Sequence, residues 1–155
     1  MENEEIIKET VQALMEKMGF PADIEMQKIE EDGKEVVICN IKTQESNFLI
    51  GQYGVNLQSL QHIARLLVKK KSEDRIDFIL DVNAYRQEKN NSIIKLAQEM
   101  AQQALSEGRA VVLRPMSPYE RRLIHIELLK NSRVKTESIG DGEDRKVVIK
   151  PADSI

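Results

Sequence analysis

Gly51-Gln52-Tyr53-Gly54 stands directly ahead of a strongly periodic apolar stretch, and that junction constrains the fold more than any other part of the chain. Beyond it Leu57, Leu60, Ile63, Ala64, Leu67 and Val68 recur at helical spacing as far as Lys69-Lys70-Lys71. Two glycines with two residues between them allow a turn with positive φ and a close approach of backbone to a ligand. A helix opening straight after such a turn has free N–H groups and the positive end of its dipole there. Both favour an anion, a phosphate above all.

The surrounding pattern predicts a mixed α+β chain. Ile6, Ile7, Val11, Leu14, Met15 and Met18 form one face of a first helix, which Gly19 can end. Residues 24–30 and 34–41 read as strands of a tight hairpin around Asp32-Gly33, whose two turn positions require positive φ. Residues 75–82 alternate in part and read as a third strand. A long helix follows over residues 83–107, with Asn83 as its cap, Ile93, Ala97, Met100, Ala101 and Ala104 as its apolar face, and Gly108 as its terminator. Residues 110–113 predict a short strand. Ser117-Pro118-Tyr119-Glu120 has the chemistry of a capping box with proline at the first helical position, opening a helix that runs to about Lys130. A final hairpin joins residues 134–139 and 146–149 around Gly140-Asp141-Gly142. No linker separates the halves after Val82. Mutual packing of two modules and a shared rigid helix both remain open.

Composition narrows the functional classes. A chain of 155 residues holds one ordinary domain or two small ones, and 41% hydrophobic with 32% charged residues suits a soluble globular protein. No apolar run approaches the roughly 20 residues that span a bilayer. The acidic start, Met1-Glu2-Asn3-Glu4-Glu5, is unlike a secretory leader and points to the cytoplasm. Cys39 is the only cysteine, so disulfide frameworks and cysteine-rich metal sites are excluded, and its apolar neighbours predict a core position. There is no nucleophile elbow, no phosphate-cradling loop ending in Gly-Lys, and no His/Cys/carboxylate set at metal spacing. Neither catalytic residues nor a metal or cofactor site can be assigned.

The net charge of −3 is unevenly spread. Residues 1–83 carry 10 Lys and Arg against 16 Asp and Glu, a balance of −6, while residues 84–155 carry 13 against 10, a balance of +3. Positive charge therefore favours the second half. There Arg121 and His125 lie four apart on the predicted helix and so share a face. Arg122, Arg114 and Lys130 are near enough in sequence to widen a basic surface. Two readings of the pair stand: a contact to an anionic ligand, or a packed histidine with an arginine tying down a loop. His62 falls on the polar side of its helix and reads as a solvated surface residue.

The segment Leu49-Ile50-Gly51-Gln52-Tyr53-Gly54-Val55-Asn56-Leu57 resembles the core of a KH domain, and the order helix, strand, strand, glycine loop with helices, strand is that of the type II form. Arg114-Pro115-Met116-Ser117-Pro118-Tyr119-Glu120-Arg121-Arg122-Leu123-Ile124-His125 resembles an R-3-H domain, named for an arginine and a histidine with three residues between. Asp81-Val82-Asn83-Ala84-Tyr85-Arg86 adds a weaker similarity. One module followed directly by the other is the arrangement of the bacterial Jag/KhpB family.

The resemblance implies an α+β fold with a type II KH domain (αββααβ) at residues 1–83 and a small α/β R-3-H domain at residues 84–155. It implies a non-enzymatic regulator that binds single-stranded RNA, with single-stranded DNA as the alternative. Gly51, Gln52, Tyr53 and Gly54 would grip the backbone of about four nucleotides. Ile38, Ile50, Val55, Asn56 and Leu57, with Val37, would floor the groove. Arg121 and His125 would contact the nucleic-acid backbone, flanked by Arg122, Arg114 and Lys130. KH loops often carry Lys or Arg between the glycines; Gln52-Tyr53 supplies no charge, which predicts modest, salt-sensitive affinity. The family is linked to cell division, cell-wall growth and sporulation, and partners with a small single-KH protein. A homodimer and a protein-docking scaffold with little RNA affinity of its own are the further options. Members often carry an additional N-terminal domain and linker that these residues do not include.

Overall fold

The computed structural model describes residues 2–153. Its chain falls into two compact units, one through Arg86 and one from Gln87 onward. The first contains α1 (Glu2–Met18), β1 (Asp23–Glu31), β2 (Lys34–Lys42), α2 (Ser46–Ile50), α3 (Val55–Lys71) and β3 (Ile79–Val82). The division lies in the first turn of α4 (Tyr85–Glu107). The second unit continues with β4 (Val111–Val112), α5 (Pro118–Leu128), β5 (Val134–Ile139) and β6 (Lys146–Pro151). Among the described residues no helix is long and apolar enough to cross a membrane.

In the first unit the sheet order is β1-β2-β3, antiparallel then parallel. Asp32 and Gly33 both have positive φ, 52° and 73°, the turn type that matches strand twist and that the Asp-Gly pair predicts. Ile7, Val11 and Met15 of α1 pack with Leu57, Leu60, Ala64 and Val68 of α3 over Cys39, Ile41, Leu80 and Val82 of the sheet. Burial of such side chains is worth roughly 1.5–3 kcal/mol each for the larger ones.

Two local expectations are corrected. The third strand begins at Ile79, not at residue 75. The buried Gln61 amide on α3 donates to the Phe78 carbonyl and accepts from the Leu80 N–H, so a side chain holds the backbone where the strand begins. Nor does Asn83 cap α4. Its side chain is tied to Thr43, accepting from the Thr43 N–H at 3.0 Å and donating to the Thr43 carbonyl at 2.7 Å. The buried Asp81 carboxylate instead accepts from the Arg86 N–H, at 3.1 and 3.2 Å, and so satisfies a first-turn donor of the helix.

In the second unit the sheet order is β4-β6-β5, antiparallel throughout. Ile93, Ala97, Ala101 and Ala104 of α4 form a core with Ile124 and Leu128 of α5 and Val147 and Ile149 of β6. Met100, expected on that face, is only partly buried. The capping box of α5 is complete: Ser117 Oγ accepts from the Glu120 N–H at 3.2 Å, and the Glu120 carboxylate accepts from the Ser117 N–H at 3.0 Å. α5 ends at Leu128, short of the expected Lys130.

Candidate nucleic-acid interface

The glycine loop is a strained turn that only its own sequence can make. α2 ends as the Gly51 N–H donates to the Asn47 carbonyl at 3.0 Å. Gly51 then takes φ 70°, ψ −178°, a region that is essentially glycine-only. Asn56 donates from Nδ2 to the Phe48 carbonyl at 2.8 Å, and this closes the loop from below. A Cβ on Gly51 would lie 2.6 Å from the Asn56 Cγ. Tyr53 and Gly54 follow with left-handed backbone, φ 56° and 77°, and α3 starts from Gly54 without a side-chain cap. The first of its N–H groups, that of Val55, donates to the Gln52 carbonyl, so the loop backbone itself caps the start of α3 in part.

The predicted groove residues do not all line a surface. Val55 and Asn56 are exposed, while Ile38, Val37 and Ile50 are half-buried. Leu57 is 1% exposed and belongs to the core, so it cannot floor a groove; helical periodicity turns it inward with Leu60 and Ala64. Gln52 and Tyr53 stand at the exposed tip, Tyr53 at 83% exposure. Phe48, which the sequence reading did not single out, is also largely exposed, at 68%. An exposed phenylalanine one turn before a glycine pair is the sequence signal that could have marked it. His62 is exposed, as expected.

On α5, Arg121 and His125 share a face and meet β5. His125 Nδ1 is 2.7 Å from Thr136 Oγ1, and its Nε2 is 2.9 Å from Ser138 Oγ. Arg121 donates from Nε to the Met116 carbonyl at 3.3 Å and from Nη1 to Ser138 Oγ at 3.4 Å. Both ring nitrogens of the histidine therefore have a hydroxyl partner. Partial burial first, then the charges of Arg121 and Arg145, hold its pKa below the usual 6.5, so the ring is neutral at neutral pH. The result is a half-buried, charge-flanked imidazole beside two hydroxyls. The ring N–H and one hydroxyl proton are spent within this pair of contacts, so the donors left for a phosphate are the uncommitted N–H groups of Arg121 and the other hydroxyl.

The other expected basic residues all stand at the surface of the second unit. Arg122 is exposed about 100° further round α5, and Arg114 is exposed in the segment before it. Lys130 is engaged with Glu127 at 3.0 Å. Sequence reasoning missed Thr136, Ser138 and Arg145. The alternation Val134, Thr136, Ser138 on the inward side of β5 was readable, and two hydroxyls at inward positions were the signal.

Comparison with known proteins places these sites in context. Residues 91–151 match the R-3-H domain family, a span that contains Arg121, His125, Thr136, Ser138 and Arg145. Similar curated proteins are each named RNA-binding protein KhpB. That of Clostridium symbiosum is 36% identical over 141 residues, covering 91% of this chain and 63% of that protein. That of Lactiplantibacillus plantarum is 31% identical over 137 residues, covering 88% of this chain and 41% of the relative.

By these matches the chain is similar to the Jag/KhpB family. The likeness runs through both compact units, since the Bacillus subtilis relative, 28% identical over 141 residues, also covers 90% of it. The chain spans between 41% and 66% of the length of these curated relatives. The glycine loop, within this KhpB-like span, lies outside the R-3-H match.

Proposed function

We propose that this chain is an RNA-binding regulatory protein that holds single-stranded RNA through its backbone and performs no catalysis. Residues 1–83 are read as a type II KH domain and residues 84–155 as the R-3-H domain. Gly51, Gln52, Tyr53 and Gly54 hold the sugar-phosphate chain at the start of α3, and the half-buried Ile38 and Ile50 with exposed Val55 and Asn56 receive the bases. Arg121 and His125 add backbone contacts on the second unit. The observation that carries the reading is the convergence of Arg121, His125 and Ser138 on one face inside the R-3-H match. The name of the relatives and the glycine-only geometry of Gly51 support it. Cytoplasmic placement and a role in cell division, cell-wall growth or sporulation belong to the same reading, by likeness to the family.

The decisive experiment is fluorescence anisotropy with short single-stranded RNA pools, with matched DNA as competitor. Wild type is compared with Gly51→Asp/Gly54→Asp and with Arg121→Ala/His125→Ala, each checked for folding. Binding that both variants weaken supports the reading; folded wild type that binds no RNA at low salt overturns it. A second reading has its own observation. Val55, Ile63 and Leu66 are exposed on one side of α3, an apolar strip that suits a protein partner such as a small single-KH protein or a second copy. Under that reading the chain is a docking scaffold, and RNA binding appears only with the partner present.

A further inference from the structure

We infer that Arg145 is a third phosphate-contacting residue of the Arg121/His125 face, supplied by the turn between β5 and β6. The inference rests on the RNA-binding reading above and names one more residue of the same site.

The turn is built to hold this guanidinium. Gly140 has φ +86°, and a Cβ there would meet the Asp144 carbonyl oxygen at 3.1 Å, so the chain folds back tightly on itself. Arg145 donates from Nη1 to the Gly140 carbonyl at 2.7 Å. Its own carbonyl accepts from the Met116 N–H at 3.2 Å, and the Met116 carbonyl accepts from Arg121 Nε at 3.3 Å. The backbone of Met116 thus holds the Arg121 guanidinium and the Arg145 main chain, while the Arg145 guanidinium stays on the Gly140 carbonyl. Both charges are felt at the His125 ring, where each opposes protonation.

Each guanidinium charge disfavours a further positive charge at the ring, and an anion bound there would offset both. Among the described residues neither arginine has a carboxylate within ion-pair distance. Each guanidinium commits only part of its fixed fork of donors to protein acceptors, and the rest suits phosphate oxygens. The ligand class is a backbone phosphodiester, read without regard to base.

The test is Arg145→Gln in the full chain, titrated by anisotropy against a short uridine-rich RNA over a salt series. We expect affinity to fall several-fold and the logarithmic salt slope to become shallower by about 0.7, the share of one contact to a single strand. Wild-type affinity and slope in a folded Arg145→Gln protein, alongside weakened Arg121→Ala/His125→Ala, would overturn the inference and leave Arg145 a turn-holding residue. Absence of binding by wild type would instead defeat the RNA reading, and this inference with it. Wild type gives an independent readout should the variant unfold. RNA should protect Arg145 and Arg121 from phenylglyoxal, seen by mass spectrometry, while exposed Arg133 stays reactive. An unprotected Arg145 overturns the inference.

Discussion

The His125 Nε2 and Ser138 Oγ lie 2.9 Å apart, joining α5 to β5 at the centre of the proposed R-3-H contact face. The ring's other nitrogen reaches Thr136, so the imidazole is locked in plane by two hydroxyls. A locked, neutral histidine beside two arginines has a pH signature of its own.

The folded pKa of His125 is depressed, so the unfolded chain binds the proton more readily near the usual 6.5. Its contribution to stability is fully present above that value and is lost as pH falls through the lowered folded pKa. Urea midpoints measured downward from neutral pH should therefore decline in this window, and His125→Gln should flatten the decline. Glu4 and Glu127, whose pKa values are lowered chiefly by hydrogen bonds from Lys28 and Lys130, act only further down, below 4.5. A bound phosphate should reverse the preference of the ring, so RNA affinity should rise as pH falls. Equal pH dependence in wild type and His125→Gln would remove the histidine from both effects.

Gly51 and Gly54 should respond differently to alanine. Gly51→Ala meets the Asn56 side chain in a glycine-only conformation, so we expect a loss of roughly 1–3 kcal/mol together with loss of RNA binding. At Gly54 the backbone is left-handed and the nearest atom is on the Tyr85 ring at 3.3 Å, so about 1–2 kcal/mol is expected. Paired urea melts of the two variants decide it; a Gly54 variant that is the more damaged would contradict the loop geometry.

Neighbours on α3 should separate stability from binding. Leu57→Ala removes a core side chain and should cost about 2–5 kcal/mol. Val55→Ala alters a residue 56% exposed and should change stability by less than about 0.5 kcal/mol while lowering RNA affinity. Denaturation and anisotropy on the same two preparations make the comparison. Unchanged affinity in Val55→Ala would take that residue out of the groove.

Cys39 reports on opening of the first unit. Burial pushes its thiol up to about 12, and no atom of it is offered to solvent in the folded state. At mildly alkaline pH it should resist a disulfide-exchange reagent in the native protein and react at once in denaturant. Rapid reaction of the native protein would mean that the β2 region opens readily.

Most of the element order was legible because its causes are local. Asp32-Gly33 sets a tight turn, Ser117 and Glu120 satisfy each other's backbone, and the spacing of Ile7, Val11 and Met15 buries one helix face. Each effect acts between residues a few positions apart. Gly51 and Gly54, and the Arg121/His125 spacing, were readable for the same reason. Where side chains from distant segments competed for one backbone group, the local reading failed. Asn83 was drawn to Thr43 and left the helix start to Asp81, and the buried Gln61 side chain, from another helix, holds the backbone where the third strand begins.

The candidate site divides along the same line. From sequence alone came the residue types able to hold a phosphate and the helix that carries two of them. Tertiary structure alone decided that Thr136 and Ser138 face His125 and that Arg145 reaches the Gly140 carbonyl in the turn after β5. It also decided that Leu57 points into the core. Charge and hydrogen-bonding capacity belong to each residue by itself, but their convergence depends on how β5, β6 and α5 pack, and that packing is set by contacts far apart in the chain.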